Sequence, residues 1–305
     1  MQLRANGIRI EVDEQGPPDG PVLLLIMGLG MQLVGWPQPL VDRLCAAGVR
    51  VLRLDNRDAG LSQGFDEAGV PSLWRAGLRQ QLHLPLRGLP YGLSDMAADV
   101  LGVLDALRIP RVHVCGASMG GMIAQHLAAT SPQRVASLVL LMSTRGARDL
   151  PQPSLGAQWT MLQRPRRNDE AAVLPYLMRV HRAIGSQPPW RIDEAALLER
   201  QREAFRRAWR PDGTVRQLLA VAADGDRAPL LRRIAAQPWP QHVIHGAADP
   251  LLPPAHGRDL VRHLPRAAFS LIEGMGHDLP PALLPRLAAE LLETMAAGGA
   301  PIIAG

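Results

Sequence analysis

The sequence predicts an α/β protein built on a mainly parallel, eight-stranded sheet that helices cover on both faces. Short, unbroken apolar runs such as Val22-Leu-Leu-Leu-Ile-Met27 have the composition of strands buried on two sides. They alternate with segments of helical periodicity, and repeated βα units favour parallel pairing through crossover helices. From about Arg145 to Pro238 the strand signal disappears, so a block of helices interrupts the alternation before it resumes.

In order, Gln2 to Ala5 and Ile8 to Asp13 read as a hairpin, the second segment alternating like a half-buried strand. After the turn-rich Gln15-Gly-Pro-Pro-Asp-Gly-Pro21 comes the Val22 run. Gln38 to Ala47 is helical and leads through Gly48 into the strand Arg50 to Leu54. Leu93 to Leu107 reads as a helix capped by Ser94, Val112 to Cys115 as a strand, Met119 to Ala129 as a helix and Val135 to Met142 as a strand. Helical segments follow at Asp169 to Ala183, Ile192 to Arg210 and Val215 to Ala223. Strands return at Gln241 to His245 and Ala267 to Ile272, each followed by Gly and a helix. The expected organisation is a core of residues 1–144 and 239–305 with a helical cap inserted at 145–238.

Composition narrows the function. At 47% hydrophobic, with 29 Gly and 28 Pro among 305 residues, the chain is neither disordered nor repetitive. The apolar stretch from Val22 to Trp36 is short of the roughly 20 residues a membrane span needs, and Met1-Gln-Leu-Arg-Ala-Asn-Gly lacks a signal-peptide core, so the expected location is cytoplasmic. All of the basic residues behind the net charge of +5 are Arg. The densest Arg stretch, Glu199 to Arg210, interleaves acids and carries Phe205 and Trp209 at helical spacing with Leu198, so it reads as a solvated amphipathic helix rather than a nucleic-acid surface. Cys45 and Cys115 sit in apolar contexts without metal or redox spacing. Neither a metal nor a cofactor is expected. A small-molecule ester is the expected partner, and a homodimer is compatible with the sequence.

The chemistry starts at Gly116-Ala-Ser118-Met-Gly120, a GxSxG pattern between a strand and a helix. A tight strand-to-helix turn strains the central residue and leaves no room for side chains two positions either side, which explains the glycines. Ser118 is thereby lifted to the sheet edge at a helix N-terminus, where free N–H groups can meet an oxyanion. A serine hydroxyl needs a base, and the base an orienting acid. Asp249 lies just past one later strand and His277 just past the next, on the edge where parallel sheets collect ligands. Taken singly, Asp249 could cap the helix after Pro253 or shape a turn, and His277 could be one of nine ordinary histidines, but both sit at the matching strand end. His113, His242 and His245 fall within strands and read as packing or surface residues. The loop Gly28-Leu-Gly-Met-Gln-Leu-Val-Gly-Trp36 supplies a second backbone donor, so the oxyanion pair is assigned to the N–H groups of Met119 and Leu29. Gly28 and Trp36 from that loop, with Trp159, Met161, Leu162, Tyr176, Leu177 and Met178 from the cap, are candidates for an apolar substrate pocket.

Together these residues resemble the α/β-hydrolase superfamily, over nearly the whole chain. Asp55-Asn-Arg57-Asp-Ala-Gly60-Leu-Ser62 looks like its D-x-R-x-x-G-x-S segment, which in relatives braces loops near the active site. Met27-Gly-Leu-Gly and Gly276-His277 look most like a bacterial esterase subgroup that includes the aclacinomycin methylesterases, although Met27-Gly28 stands where many relatives have His-Gly. The resemblance implies an inserted cap after the sixth strand. Serine rather than aspartate as nucleophile argues against dehalogenase and epoxide hydrolase chemistry. The expected function is hydrolysis of carboxylic esters of small to medium apolar substrates through an acyl-enzyme on Ser118. Lactone hydrolysis, perhydrolysis and C–C bond hydrolysis use the same triad, and a non-catalytic receptor on this fold is the alternative from another class.

Overall fold

Eight strands form one sheet: β1 (Gln2–Ala5), β2 (Ile8–Gln15), β3 (Val22–Ile26), β4 (Arg50–Leu54), β5 (Val112–Ala117), β6 (Val135–Leu141), β7 (Gln241–Gly246) and β8 (Ala268–Ile272). Their order is β1-β2-β4-β3-β5-β6-β7-β8 in a computed structural model that describes residues 1–82, 84–163 and 165–299. β1, β2 and β4 pair antiparallel, and every pairing from β4 to β8 is parallel. The helices are α1 (Gln38–Ala46), α2 (Leu73–Gln81), α3 (Leu93–Ala106), α4 (Met119–Thr130), α5 (Leu155–Leu162), α6 (Glu170–Ile184), α7 (Glu194–Arg207), α8 (Pro211–Asp224), α9 (Ala228–Ala235), α10 (Ala255–His263) and α11 (Leu284–Ala297).

The unbroken apolar runs have a simple cause. Side chains alternate across a strand, so Leu24 and Ile26 of β3 join one buried cluster with α3 and α4, whereas Leu23 and Leu25 join another with α1 and α11. Both faces are covered, and all six residues of β5 are buried. This sandwich brings the C-terminal ends of β3, β5, β6, β7 and β8 to one edge.

One expectation needs correction. Helix α3 is capped at Gly92, whose N–H donates to the Asp95 carboxylate, so Ser94 is not the cap. Helix α2, of nine residues, has no counterpart among the helices the sequence predicts. Elsewhere Asp169 and Asp193 cap α6 and α7 with their side chains, shifting both starts by a residue or two from the periodic pattern.

The five helices α5 to α9 lie between β6 and β7 in the chain, and arginines fasten them to the rest. Here too the sequence misleads: the Arg-rich helix α7 is not simply a solvated face. Arg207 turns inward to Asp55 at 2.7 Å, and Arg200 donates to the Gly35 carbonyl at 2.6 Å, while Arg202 and Arg206 pair with Glu170 on α6. From α8, Arg216 forks onto both oxygens of Asp58 at 2.7 Å, with each side chain at most 1% exposed. Burial opposes the Asp58 charge, but the Arg216 and Tyr91 bonds outweigh it and hold the carboxyl below its usual range. Removing one partner strands a buried charge. Asp58→Ala should therefore lower unfolding free energy by about 3–5 kcal/mol in denaturant melts at pH 7. The carboxylate's contribution should fade as pH falls through its depressed value. Among the described residues, no helix is long and apolar enough to cross a membrane.

Candidate active site

Ser118 joins β5 to α4 with φ 53° and ψ −118°, a backbone conformation that non-glycine residues rarely hold. The flanking glycines are required sterically. A Cβ on Gly116 would meet the Gly120 carbonyl oxygen at 2.3 Å, and one on Gly120 would meet the Ile26 carbonyl oxygen at 2.0 Å. The Ser118 N–H donates to Leu141, and Ser143 Oγ donates to the Ser118 carbonyl, fixing the turn against β6.

Two backbone N–H groups at or next to this turn have no partner among the described residues. Helix α4 begins at Met119, whose N–H has no partner among the described residues, as the first N–H groups of a helix do not. Leu29 likewise keeps a free N–H, in a loop laid directly against the serine: a Cβ on Gly28 would lie 3.2 Å from Ser118 Cβ and 3.7 Å from Oγ. Gln217 of α8 pins that loop by accepting from Gly30 N–H at 2.8 Å and donating to the Arg57 carbonyl at 2.6 Å. Gln217 went unnoticed in the sequence, because a glutamine inside a helix carries no motif.

On the neighbouring strand ends, His277 Nδ1 lies 2.6 Å from Asp249 Oδ2. The other Asp249 oxygen accepts from the Leu251 and Leu252 N–H groups at 2.9 and 2.8 Å. The turn-shaping and imidazole-holding roles of Asp249 therefore coexist. His245, wholly buried, stiffens the same turn through Nε2 to the Leu252 carbonyl. Burial disfavours a charged His277, yet the adjacent Asp249 carboxylate outweighs it and raises the imidazole above its ordinary pKa. Burial likewise opposes the Asp249 charge, and His277 with the turn amides prevails, so its carboxyl stays below the usual range. The Ser118 hydroxyl makes no hydrogen bond to the imidazole, a contact that commonly tightens only when substrate binds. Backbone bonds nevertheless step from Ser118 to Leu141, from Met142 to Ile244 and from Ala248 to Met275, joining the three chain ends along one edge.

The Asp55 segment behaves as a brace. Asp55 accepts from Leu33 and Leu61 N–H, Ser62 Oγ donates to the Asp55 carbonyl, and Arg57 forks onto Asp99. A Cβ on Gly60 would strike the Asp55 carboxylate at 2.0 Å.

Comparison with known proteins decides the family. The family described as alpha/beta hydrolase fold matches residues 21–280. The chain belongs to the α/β-hydrolase family. This hydrolase is 32% identical over 296 residues to the rhodomycin D methylesterase DnrP of Streptomyces peucetius, covering 90% of each chain. It is 32% identical over 309 residues to the rhodomycin D methylesterase DauP of Streptomyces sp. (strain C5), again covering 90% of each. It is a carboxylic ester hydrolase. The enol-lactonase of Burkholderia xenovorans LB400 shares the fold with TM-score 0.70 and 22% identity, over 97% of this chain and 99% of that one.

The pocket candidates fare unevenly in this hydrolase. Gly28 lies against Ser118, as above. Trp36 is fully buried among Leu23, Leu25 and Leu40 and belongs to the core, because the loop turns its ring under the sheet face. Trp159 is 68% exposed, and Met178 is buried in a cluster with Ile192 and Leu197. Tyr176 is half-buried on α6, and the side chains of Met161 and Leu162 lie outside the described residues. None of Trp36, Trp159, Tyr176 and Met178 lines the larger cavity, of about 680 Å³, whose walls include Met122, Thr144, Leu84, Leu86 and Val221. Leu177 borders a small cleft of about 70 Å³ beside Gly30 and Phe205. Helical spacing reports that a side chain faces inward, without saying whether inward means core or cavity.

Proposed function

We propose that the protein is a serine esterase that forms an acyl-enzyme on Ser118. Ser118 Oγ attacks the ester carbonyl while His277 Nε2 takes its proton, and Asp249 holds the Nδ1 proton and stabilises the imidazolium. The tetrahedral oxyanion is held by the N–H groups of Met119 and Leu29. His277 then returns the proton to the departing alcohol, and water repeats the sequence to release the acid. The observation that supports this most is the His277 to Asp249 bond of 2.6 Å on the same edge as a strained Ser118 with two unpartnered N–H groups. The similarity to the rhodomycin D methylesterases favours a methyl ester as substrate. A serine-directed organophosphate tests the nucleophile: it should modify Ser118 at one equivalent, and an unmodified, active enzyme would refute the assignment.

We place the bulk of the substrate in the larger cavity, whose wall includes Met122, one turn along α4 from Ser118. Its lining is mixed: Leu84, Leu86, Val221 and Met122 suit an apolar group, Asp149, Asp226 and Arg227 are charged, and none of Ser118, Asp249 and His277 belongs to it. Val221→Trp should lower kcat/KM for p-nitrophenyl decanoate by about tenfold or more and leave p-nitrophenyl acetate within about twofold. Equal losses on both esters would remove the cavity from the substrate path.

A further inference from the structure

The loop that carries His277 is bound to the cap more extensively than to the sheet it springs from. His277 N–H donates to the Ile184 carbonyl at the C-terminal end of α6, at 2.7 Å. Gly276 N–H donates to Ser186 Oγ at 2.9 Å, and that hydroxyl in turn donates to Asp278 Oδ1, which also accepts from Ser186 N–H at 3.1 Å. Further out, Gln187 N–H reaches the Gly274 carbonyl and Trp190 Nε1 the Glu273 carbonyl, both at 2.8 Å. The two segments meet so closely that a Cβ on Gly276 would lie 2.4 Å from the Gly185 carbonyl carbon, so only glycine fits before the histidine.

Asp278 is the centre of this junction. Its side chain is 4% exposed, and its second oxygen has no hydrogen-bond partner, lying 3.7 Å from His181 Nε2. A buried carboxylate left half-satisfied is costly for a fold unless its charge serves something nearby. The charged and titratable groups around it are His181 from α6 and Arg200 from α7, while His277 faces Asp249 and His245 from β7 and its following turn. Asp249 is thus bonded to the imidazole ring itself, while Asp278, the next residue in the chain, ties the same loop to Ser186.

We propose that Asp278 and Ser186 form a latch that positions His277, the Ser186 hydroxyl fixing the imidazole loop to the cap by bonding Gly276 N–H and the Asp278 carboxylate. The Asp278 charge then adds to that of Asp249 near the imidazole. This rests on the serine-esterase reading for its kinetic consequence, though not for its electrostatic one. Cap seating and base alignment become one event, because the same two hydroxyl bonds serve both. A base displaced by a fraction of an ångström loses proton-transfer efficiency without altering ground-state binding, so the latch should act on kcat rather than KM.

The test compares Asp278→Asn, which retains an acceptor for Ser186 while losing the charge, with Ser186→Ala, which removes the bridge and keeps the charge. The full chain is used. Histidine titration by NMR should place the His277 pKa about half a unit or more lower in Asp278→Asn than in wild type. Hydrolysis of p-nitrophenyl butyrate by Ser186→Ala should show kcat lower by about tenfold or more with KM within about twofold. Variants that lose only thermal stability, with the His277 titration and kcat as in wild type, would overturn the latch and leave a purely structural junction. Should Asp278→Asn fail to fold, Ser186→Ala still decides through its split between kcat and KM. If Ser118 resists organophosphate while the Asp278→Asn titration still moves, the esterase mechanism fails and the electrostatic half of the latch stands.

Discussion

Ser118→Ala should lower kcat for p-nitrophenyl esters by about a millionfold, to a rate supplied only by the oxyanion donors and binding. The size of the effect follows from the cooperative nature of the unit: without the hydroxyl, the imidazole has no proton to take and the carboxylate no imidazolium to stabilise. The substitution is also structurally mild. Ala keeps a Cβ in the same left-handed conformation at φ 53°, and the Ser118 amide and carbonyl, which bond Leu141 and Ser143, are untouched. Thermal melts of the variant should therefore fall within a few degrees of wild type. Organophosphate labelling should vanish with the activity. Retention of more than about one part in a thousand of the wild-type kcat by a folded, unlabelled variant would place the nucleophile elsewhere.

How much of this was legible beforehand depends on whether the relevant physics is local. The elbow is local: a glycine two residues either side of Ser118 is dictated by carbonyl oxygens at 2.0 and 2.3 Å, so sequence spacing carries the geometry directly. Strands β3, β5 and β6 were legible for the same reason, since two-sided burial writes an unbroken apolar run. Asp249 and His277 could be found because each follows a strand end, although nothing local pairs them. Long-range polar partners were not legible. Arg216 with Asp58, Arg207 with Asp55 and Gln217 with Gly30 join residues more than 150 positions apart, and the Arg-rich helix α7 looked solvated because its inward and outward arginines are the same letter. Trp36 and Met178 were misplaced for a related reason: they satisfy the same apolar pattern whether they fill the core or face a ligand. Burial is a tertiary property, and one helix face cannot report it.

Asp249→Asn should lower kcat by about ten-thousandfold while leaving the fold intact, and the reason lies in which oxygen does what. The amide oxygen of Asn can still accept from Leu251 and Leu252 N–H, so the turn that Asp249 Oδ1 shapes is preserved. The position facing His277 Nδ1 at 2.6 Å then becomes an NH₂ group, which donates where the carboxylate accepted. The imidazole answers by carrying its proton on Nε2, the nitrogen that must be bare to receive the Ser118 proton. Two measurements separate this from simple loss of structure. Because Asp249 holds the His277 pKa above its ordinary value, wild-type kcat/KM should rise with pH through a midpoint above about 6.5, as the base becomes neutral. In Asp249→Asn the remaining activity should have its acid limb at lower pH, since the charge that favoured the imidazolium is gone. A variant with the wild-type acid limb and a kcat within about tenfold would mean that the His277 to Asp249 bond is a structural tie with no part in moving the proton.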